Sequence, residues 1–385
     1  MIEKRIKDLS NSVFDLADEI ELACKNEEER EKVVIAIIER CALQSEFRQD
    51  LLDLELVPII TRNIDWENLP KLVGRNRNIK LALRKETEKL SVQLHLWLMD
   101  SDNYEHWSSI ITAALSLCKC CAVNKQLILK QDTISLIITR LEEDINIPLL
   151  QLFTTLISDD DNESRNPAHV FARDQALETS NLDKLRLVFR LYGGTRHEKQ
   201  HIGLLLTISR ELSVSQTTAR IFAVEENFLL HACSLLRDDE NNKYRTASAR
   251  YLRQVSFSDD LKTLVLDTLM ESRALSGWIH MSFGNELLCV HMFSTLANIT
   301  LKAPDLSLRI LNMHPDLFSL AKKVLTVPQS TEVTSCMQFM RSFVKTSEGR
   351  EILNESFTTV LHEVRISGND ASRKAADEIL HRLCK

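Results

Sequence analysis

The pentapeptide HEKQH at residues 197–201 has the residue types and spacing best suited to chemistry. On an α-helix, His197 and His201 lie one turn apart, so their imidazoles could share a Zn²⁺ ion. Glu198 could then serve as the general base that activates a zinc-bound water. A third protein ligand would have to come from carboxylates further along the chain, of which the nearest are Glu211, Glu225 and Glu226.

The residues around the pentapeptide favour a simpler interpretation. The motif resembles that of zinc metalloproteases, but in those enzymes its neighbours are usually uncharged, whereas Arg196 and Lys199 are charged here. Gly193 and Gly194 are expected to end one helix, and Thr195 is expected to cap the next. We therefore predict that HEKQH is the first turn of a helix and not a metal site, with a zinc-dependent hydrolase as the alternative.

Three cysteines at 118, 120 and 121 form the densest group of thiols. Cys118 and Cys121 would share a helix face, but no second Cys or His pair follows at zinc-finger spacing. Core packing is the better interpretation. The chain has nine cysteines, an odd number at scattered positions. This pattern predicts reduced thiols in the cytoplasm or nucleus.

Other motifs of catalysis or cofactor binding are missing from the sequence. There is no P-loop, no G-x-G-x-x-G and no G-x-S-x-G. Residues 192–195 (YGGT) could bind an anion at a helix N-terminus, but a helix break accounts for them equally well. We predict no cofactor and no enzymatic activity.

Composition indicates helices throughout. The 385 residues include only 8 glycines and 7 prolines, with 44% hydrophobic and 27% charged residues. The net charge of −7 opposes a general role on nucleic acid, which needs a basic face. The N-terminus is charged from residue 3 and has no apolar segment typical of a signal peptide. No apolar run reaches the ~18 residues of a membrane span.

The second half of the chain repeats with a period of 44 residues. Residues 249–257, 293–301 and 337–345 align, with Leu252, Leu296 and Met340 at one position. Each segment is an amphipathic helical pattern followed by a short polar turn and a second helical stretch. Residues 33–64 and 110–141 show the same order with more drift.

The pattern A-x-x-x-L-x-x-L followed by a polar turn resembles armadillo and HEAT repeats, which run ~40–47 residues. The repeat glycine is mostly missing, and only Asn298 stands at the position of the asparagine ladder of nuclear-import adaptors. The resemblance implies an all-α fold, a right-handed α-solenoid of about seven to eight degenerate repeats. It also implies one helical repeat domain over residues 1–385.

Four segments depart from the repeats. The charged N-terminal stretch 1–32 and the last helix, 370–385, are predicted to cap the two ends with polar faces. Residues 68–89 are predicted to form a basic insertion or loop, and residues 158–167 an acidic loop.

Two polar surfaces are candidates for binding. The first is the groove-facing side of the three aligned helices, which the resemblance places on the concave face. Its residues are Lys243, Thr246, Arg250, Arg253, His291, Ser294, Asn298, Thr334, Gln338, Arg341 and Lys345. The second is a basic patch of Lys71, Arg75, Arg77, Lys80, Arg84, Lys85 and Lys89.

The resemblance implies a noncatalytic scaffold or adaptor that binds a partner protein or peptide along the groove. A regulator of a small GTPase or of a chaperone is an alternative role. Binding of nucleic acid or an acidic membrane through residues 71–89 is another.

Overall fold

The computed structural model is all-helical in the part of the chain that it describes, and no strand occurs there. The described residues are 35–41, 47–53, 57, 60, 66–74, 76–99, 107–130, 132–143, 146–159, 168–194, 199–238 and 241–384. The scarcity of glycine and proline explains this result, because those residues are what usually interrupts helices. The chain divides into two compact units, Met1–Val188 and Phe189–Lys385.

The first unit contains a helical stretch at 35–41 and nine further helices among its described residues. These are α1 (Phe47–Asp53), α2 (Leu69–Val73), α3 (Arg77–Ala82), α4 (Arg84–Met99), α5 (Trp107–Cys118), α6 (Ala122–Ile128), α7 (Thr133–Glu143), α8 (Ile147–Ile157) and α9 (Ala168–Ala176). Helix α10 (Thr179–Gly194) begins in this unit and ends in the second.

The second unit continues with further helices that range from 5 to 21 residues. These are α11 (Lys199–Leu212), α12 (Gln216–Arg220), α13 (Phe228–Asp238), α14 (Asn242–Val255), α15 (Lys262–Glu271), α16 (Ala274–Ser282), α17 (Glu286–Thr300), α18 (Asp305–Met313), α19 (Asp316–Leu325), α20 (Thr331–Met340), α21 (Ser347–Ser367) and α22 (Asp370–Leu383). A π-helical turn at Ile221–Glu225 follows α12, and a 3₁₀ turn at Phe343–Lys345 follows α20.

Residues 68–89, which the sequence predicts to be a basic insertion or loop, do not form a loop, because α2, α3 and the start of α4 occupy this segment. Five of its apolar residues supply the core contacts of ordinary helices and are fully buried. They are Leu69, Leu72, Val73, Ile79 and Leu83. Lysines and arginines lie between these positions. The segment is therefore basic in composition, although its buried apolar residues follow a helical pattern.

The other segments set apart by the sequence are described only in part. Residues 1–32 and 160–167 lie outside the described residues, while Ser158 is buried and Asp159 is exposed. The final helix α22 begins as expected after Asn369, whose side chain accepts a hydrogen bond of 2.9 Å from the Ser372 amide. None of the described helices combines the length and apolarity that crossing a membrane requires.

In the second unit, corresponding helices of successive repeats pack side by side. Helices α11, α14, α17, α20 and α22 form one row, and α13, α16, α19 and α21 form another. Leu252, Leu296 and Met340, which the 44-residue period aligns, are all buried in the first row. The 44-residue period is therefore the separation along the chain between helices that are neighbours in the row.

Hydrogen bonds between repeats hold this row at a constant spacing. The Gln254 amide donates to the Ser213 carbonyl at 3.0 Å, and the Asn298 amide donates to the Ser256 hydroxyl at 3.0 Å. Each acceptor lies at or just past the end of the preceding helix of the row, where backbone carbonyls lack helical partners. These long polar side chains thus tie each helix to the one before it.

Helices of the first unit are joined in the same manner. The Arg140 guanidinium on α7 donates to the Leu98 carbonyl near the end of α4 at 3.0 Å. The Asn181 amide on α10 donates to the Ser135 hydroxyl on α7 at 2.8 Å. The separations along the chain, 42 and 46 residues, match the repeat length of the second unit.

Tyr251 provides a test of the core beneath the row. Its side chain is fully buried, and within the described residues its hydroxyl has no hydrogen-bond partner. A buried hydroxyl without a partner costs about 1–3 kcal/mol. We therefore expect Tyr251→Phe to raise the free energy of unfolding by about 1 kcal/mol, as measured by urea denaturation. A decrease would show that the hydroxyl is hydrogen-bonded in solution.

Candidate partner-binding groove

The 44-residue register places equivalent residues of α14, α17 and α20 in rows across the three adjacent helices. One row contains Arg250, Ser294 and Gln338, and the next contains Arg253, Ala297 and Arg341. In both rows the residues on α14 and α20 are long and polar, whereas those on α17 are small. In the candidate groove, α17 is taken as the floor and α14 and α20 as the walls.

Burial agrees with this description of a groove. Ser294 and Ala297 on the floor are 6% and 7% exposed, whereas Arg250 and Gln338 on the walls are exposed. The Ser294 hydroxyl donates to the Ser335 hydroxyl at 3.1 Å, which ties the floor to α20. Because small residues let helices approach closely, Ser294 and Ala297 are nearly buried between the neighbouring helices.

His291 lies in α17 one turn before Ser294 and is 6% exposed. Neither ring nitrogen has a hydrogen-bond partner among the described residues. Burial, which is the largest cause, and the positive charges of Arg253, Arg250 and Arg210 together lower the pKa of His291 to about 4. The imidazole is therefore neutral near pH 7, beside three guanidinium groups.

Arg210 is a residue of this site that the sequence predictions missed. It lies on α11, which packs beside α14, and its guanidinium contacts the Glu211 carboxylate. Gly203 permits the close approach of the two helices, because a Cβ atom there would lie 2.8 Å from Cδ1 of Tyr244. The signal was present in the sequence, since Arg210 precedes Gln254 by the same 44 residues.

Several predicted groove residues are engaged within the protein. Asn298 donates a hydrogen bond to the end of the preceding helix, as described above. Lys345 does the same, and its acceptor is the Leu301 carbonyl. Arg341 forms an ion pair with Glu378 of α22. Thr334 contacts the Asn369 side chain at 3.3–3.4 Å.

The remaining predicted groove residues lie on α14. Lys243 and Arg250 are exposed, and Thr246 and Arg253 are partly exposed. In the part of the chain that the structure describes, no carboxylate lies within ion-pair distance of Arg253. The α14 wall therefore carries several cationic side chains, and Arg210 lies on the neighbouring helix α11.

Lys80, which the sequence predicts to be part of the basic patch, does not lie on the protein surface. Lys80 is 3% exposed, and its ammonium donates to the Lys119 carbonyl just after the end of α5. Burial lowers the pKa of Lys80, and the nearby thiols of Cys120, Cys121 and Cys118 partly offset this shift. Arg84 pairs with Glu88 at 3.6 Å.

The other members of the patch are placed as follows. Arg75 lies outside the described residues, and the exposed members are Lys71, Arg77, Lys85 and Lys89. The segment therefore presents exposed cations on the helices α2, α3 and α4 instead of on a loop.

The zinc hypothesis stays a prediction, because His197 and Glu198 lie outside the described residues. His201 is buried in α11. Of the carboxylates named as possible third ligands, Glu226 pairs with Arg190 at 3.0 Å, and Glu211 contacts Arg210. Among the described residues, no three His, Cys, Asp or Glu side chains cluster in a way that could hold a metal ion.

The cysteines lie mostly in the core. Of the eight that fall within the described residues, six are buried, and none of the eight forms a disulfide. Cys118 and Cys121 are buried as core packing requires, but Cys120 is exposed in the turn between α5 and α6.

Comparison with known proteins supports the fold and does not identify a family. No protein-family model matches the sequence, and no curated protein matches it. The crystal structure of an engineered protein is similar over 100% of this chain and 99% of its own, with 14% identity and a TM-score of 0.66.

A second structure, described as showing a phosphorylation switch in the interaction between cadherin and β-catenin, is similar over 96% of this chain and 83% of its own. The identity is 11% and the TM-score is 0.54. Since β-catenin is an armadillo protein, the likeness confirms the all-α, solenoid-type fold that the repeat pattern predicts. At such low identity it shows the fold alone.

Proposed function

We propose that this chain is a noncatalytic protein-interaction scaffold of the cytoplasm or nucleus, which binds an extended segment of a partner over α17. The observation that carries the proposal is that the small side chains of Ser294 and Ala297 on α17 are nearly buried, whereas the longer Arg250 on α14 and Gln338 on α20 are exposed. An extended peptide fits such a trough because its backbone can approach small side chains closely.

The similar structure whose description names cadherin and β-catenin provides a precedent for protein binding by a related fold. That precedent is an analogy of fold and does not name this chain's partner. The adaptor role is preferred over zinc chemistry or membrane binding because the groove is the feature that the repeat register builds in three successive helices.

A photo-crosslinking experiment tests the groove directly. We expect a benzophenone amino acid at Gln338, which is exposed on the α20 wall, to form covalent adducts with a partner protein in cells. The same group at Thr359, which is exposed on α21, is the matched control and should not form those adducts. Adducts are detected by gel shift and identified by mass spectrometry.

Two outcomes would overturn the scaffold proposal. One is the absence of adducts from Gln338 in a chain whose circular dichroism shows normal folding. The other is the same set of adducts from Thr359, because that result would mean that the partner does not contact the groove.

A further inference from the structure

Helix α4, in the first unit, exposes apolar side chains to solvent. Val92, Leu96 and Met99 are 49%, 60% and 64% exposed. Their spacing of four and three residues places them on one face of the helix. Leu90 and Leu94 are buried and anchor the helix in the core. A contiguous exposed apolar face of this kind is typical of a surface that binds a partner or a membrane.

The same face is cationic in the N-terminal half of α4. Lys85 and Lys89 are exposed, and within the described residues neither ammonium has an ion-pair or hydrogen-bond partner. At 3.6 residues per turn, these two lysines and the three apolar residues fall within an arc of about 80°. We call Lys85, Lys89, Val92, Leu96 and Met99 the α4 stripe.

Two carboxylates that border the α4 stripe already face basic groups. Glu88 pairs with Arg84 at 3.6 Å. Asp132, in the turn before α7, lies 3.6 Å from the imidazole of His95 on α4. Glu86, the other acidic residue of α4, is only 9% exposed. The charges that the stripe itself offers to a ligand are therefore those of its two lysines, which suit an anionic surface.

The surroundings of the α4 stripe on its own helix favour a lipid surface over a protein. Arg84 and Glu88 on one side of the stripe and Gln93 on the other are exposed as well. A partner helix usually places its apolar residues in a concave groove, which a single exposed helix face does not provide. A bilayer requires no such concavity, because the apolar side chains of an exposed helix face enter the membrane interface directly.

We infer that α4 docks on an anionic lipid bilayer. Val92, Leu96 and Met99 enter the boundary between headgroups and acyl chains, and Lys85 and Lys89 contact anionic headgroups. A helix that tilts its C-terminal end inward achieves both, because the long lysine side chains reach the headgroups from the shallower end. This inference goes beyond the proposed scaffold function, and neither depends on the other.

Vesicle flotation of the full chain tests the inference. Phosphatidylcholine vesicles with about 30% phosphatidylserine supply the anionic surface, and vesicles of phosphatidylcholine alone are the matched neutral surface. We expect the chain to bind the anionic vesicles roughly tenfold more tightly, and added salt to weaken that binding. Equal binding to the two kinds of vesicle would overturn the inference.

Charge variants test the cationic half of the α4 stripe. Lys85→Gln with Lys89→Gln should weaken binding to the anionic vesicles by roughly tenfold, because each lysine near such a surface contributes to the attraction. Lys322→Gln with Lys374→Gln removes the same charge from exposed positions on α19 and α22 and should change the binding by less than about twofold.

Apolar variants test the other half of the stripe. Leu96→Ser with Met99→Ser should weaken binding by roughly tenfold. The control is Leu230→Ser with Met313→Ser on α13 and α18, where these side chains are 56% and 55% exposed, and binding should stay within about twofold. Leu96→Trp should instead strengthen binding by roughly threefold, because tryptophan favours the membrane interface, and a misfolded chain would not show this gain.

The same variants separate a membrane from a protein partner. The second probe is a fluorescein-labelled amphipathic helical peptide of Glu and Leu, whose binding is followed by fluorescence anisotropy without lipid. If the wild-type chain binds this peptide through the α4 stripe but does not float with anionic vesicles, the inference is wrong and a protein covers the stripe. Flotation that both α4 variants lose and both controls keep supports the inference, and an equal loss in variants and controls contradicts it. Crosslinking from Gln338 tests the scaffold proposal separately, because flotation uses the purified chain without a partner.

Discussion

Replacing Trp278 with alanine is expected to lower the free energy of unfolding by about 3–5 kcal/mol, the range measured when a large aromatic side chain is removed from a packed core. Trp278 lies in α16 and is fully buried. Its indole N–H donates to the Leu288 carbonyl in the first turn of α17 at 3.0 Å. The substitution therefore removes apolar contacts and a hydrogen bond that links the second row of helices to the groove floor.

Two further variants separate these contributions in the same urea denaturation experiment. Trp278→Phe keeps an aromatic ring but loses the N–H donor, so we expect a loss of about 1–2 kcal/mol. Phe257→Ala removes an aromatic side chain that is 58% exposed, and its effect should stay within about 0.5 kcal/mol. A loss for Trp278→Ala as small as that for Phe257→Ala would contradict the packing described for α16 and α17.

The second large effect is a pH dependence of stability that comes from His291. Burial is the main cause that lowers its pKa from the ordinary 6.5 to about 4, and Arg253, Arg250 and Arg210 add to it. A proton therefore binds the unfolded chain more readily than the folded one. The contribution to stability is fully present above pH 6.5 and is lost as the pH falls from 6.5 towards 4.

The magnitude follows from the separation of the two pKa values. At pH 5 the unfolded histidine is mostly protonated and the folded one is mostly neutral, which corresponds to a loss of about 2 kcal/mol relative to neutral pH. We expect the free energy of unfolding of His291→Gln to fall by about 2 kcal/mol less than that of the wild type between pH 7 and pH 5.

An exposed histidine provides the control for this experiment. His381 on α22 is exposed, and His381→Gln should show the same pH dependence as the wild type. If His291→Gln and the wild type lose equal stability between pH 7 and pH 5, then His291 is not buried beside the arginines in solution. That result would also weaken the description of the floor as uncharged.

The helical row was predictable because its signal is local. Apolar residues recur at helical spacing within each segment, and the segments repeat after 44 residues, so the sequence already aligned Leu252, Leu296 and Met340. Burial of an amphipathic face requires such a pattern wherever helices stack. Residues 68–89 show where composition misleads, because a few buried apolar side chains define helices among many charges.

The chain by itself therefore determined an all-helical repeat fold and the alignment of α14, α17 and α20, since both depend on short-range periodicity. Only the tertiary structure decided which polar side chains remain available there. Asn298 and Arg341 satisfy hydrogen bonds or charges on neighbouring helices, and Lys80 is buried against a helix end. Their partners lie about 40 residues away along the chain, and a pattern within one helix carries no information about such distant pairs.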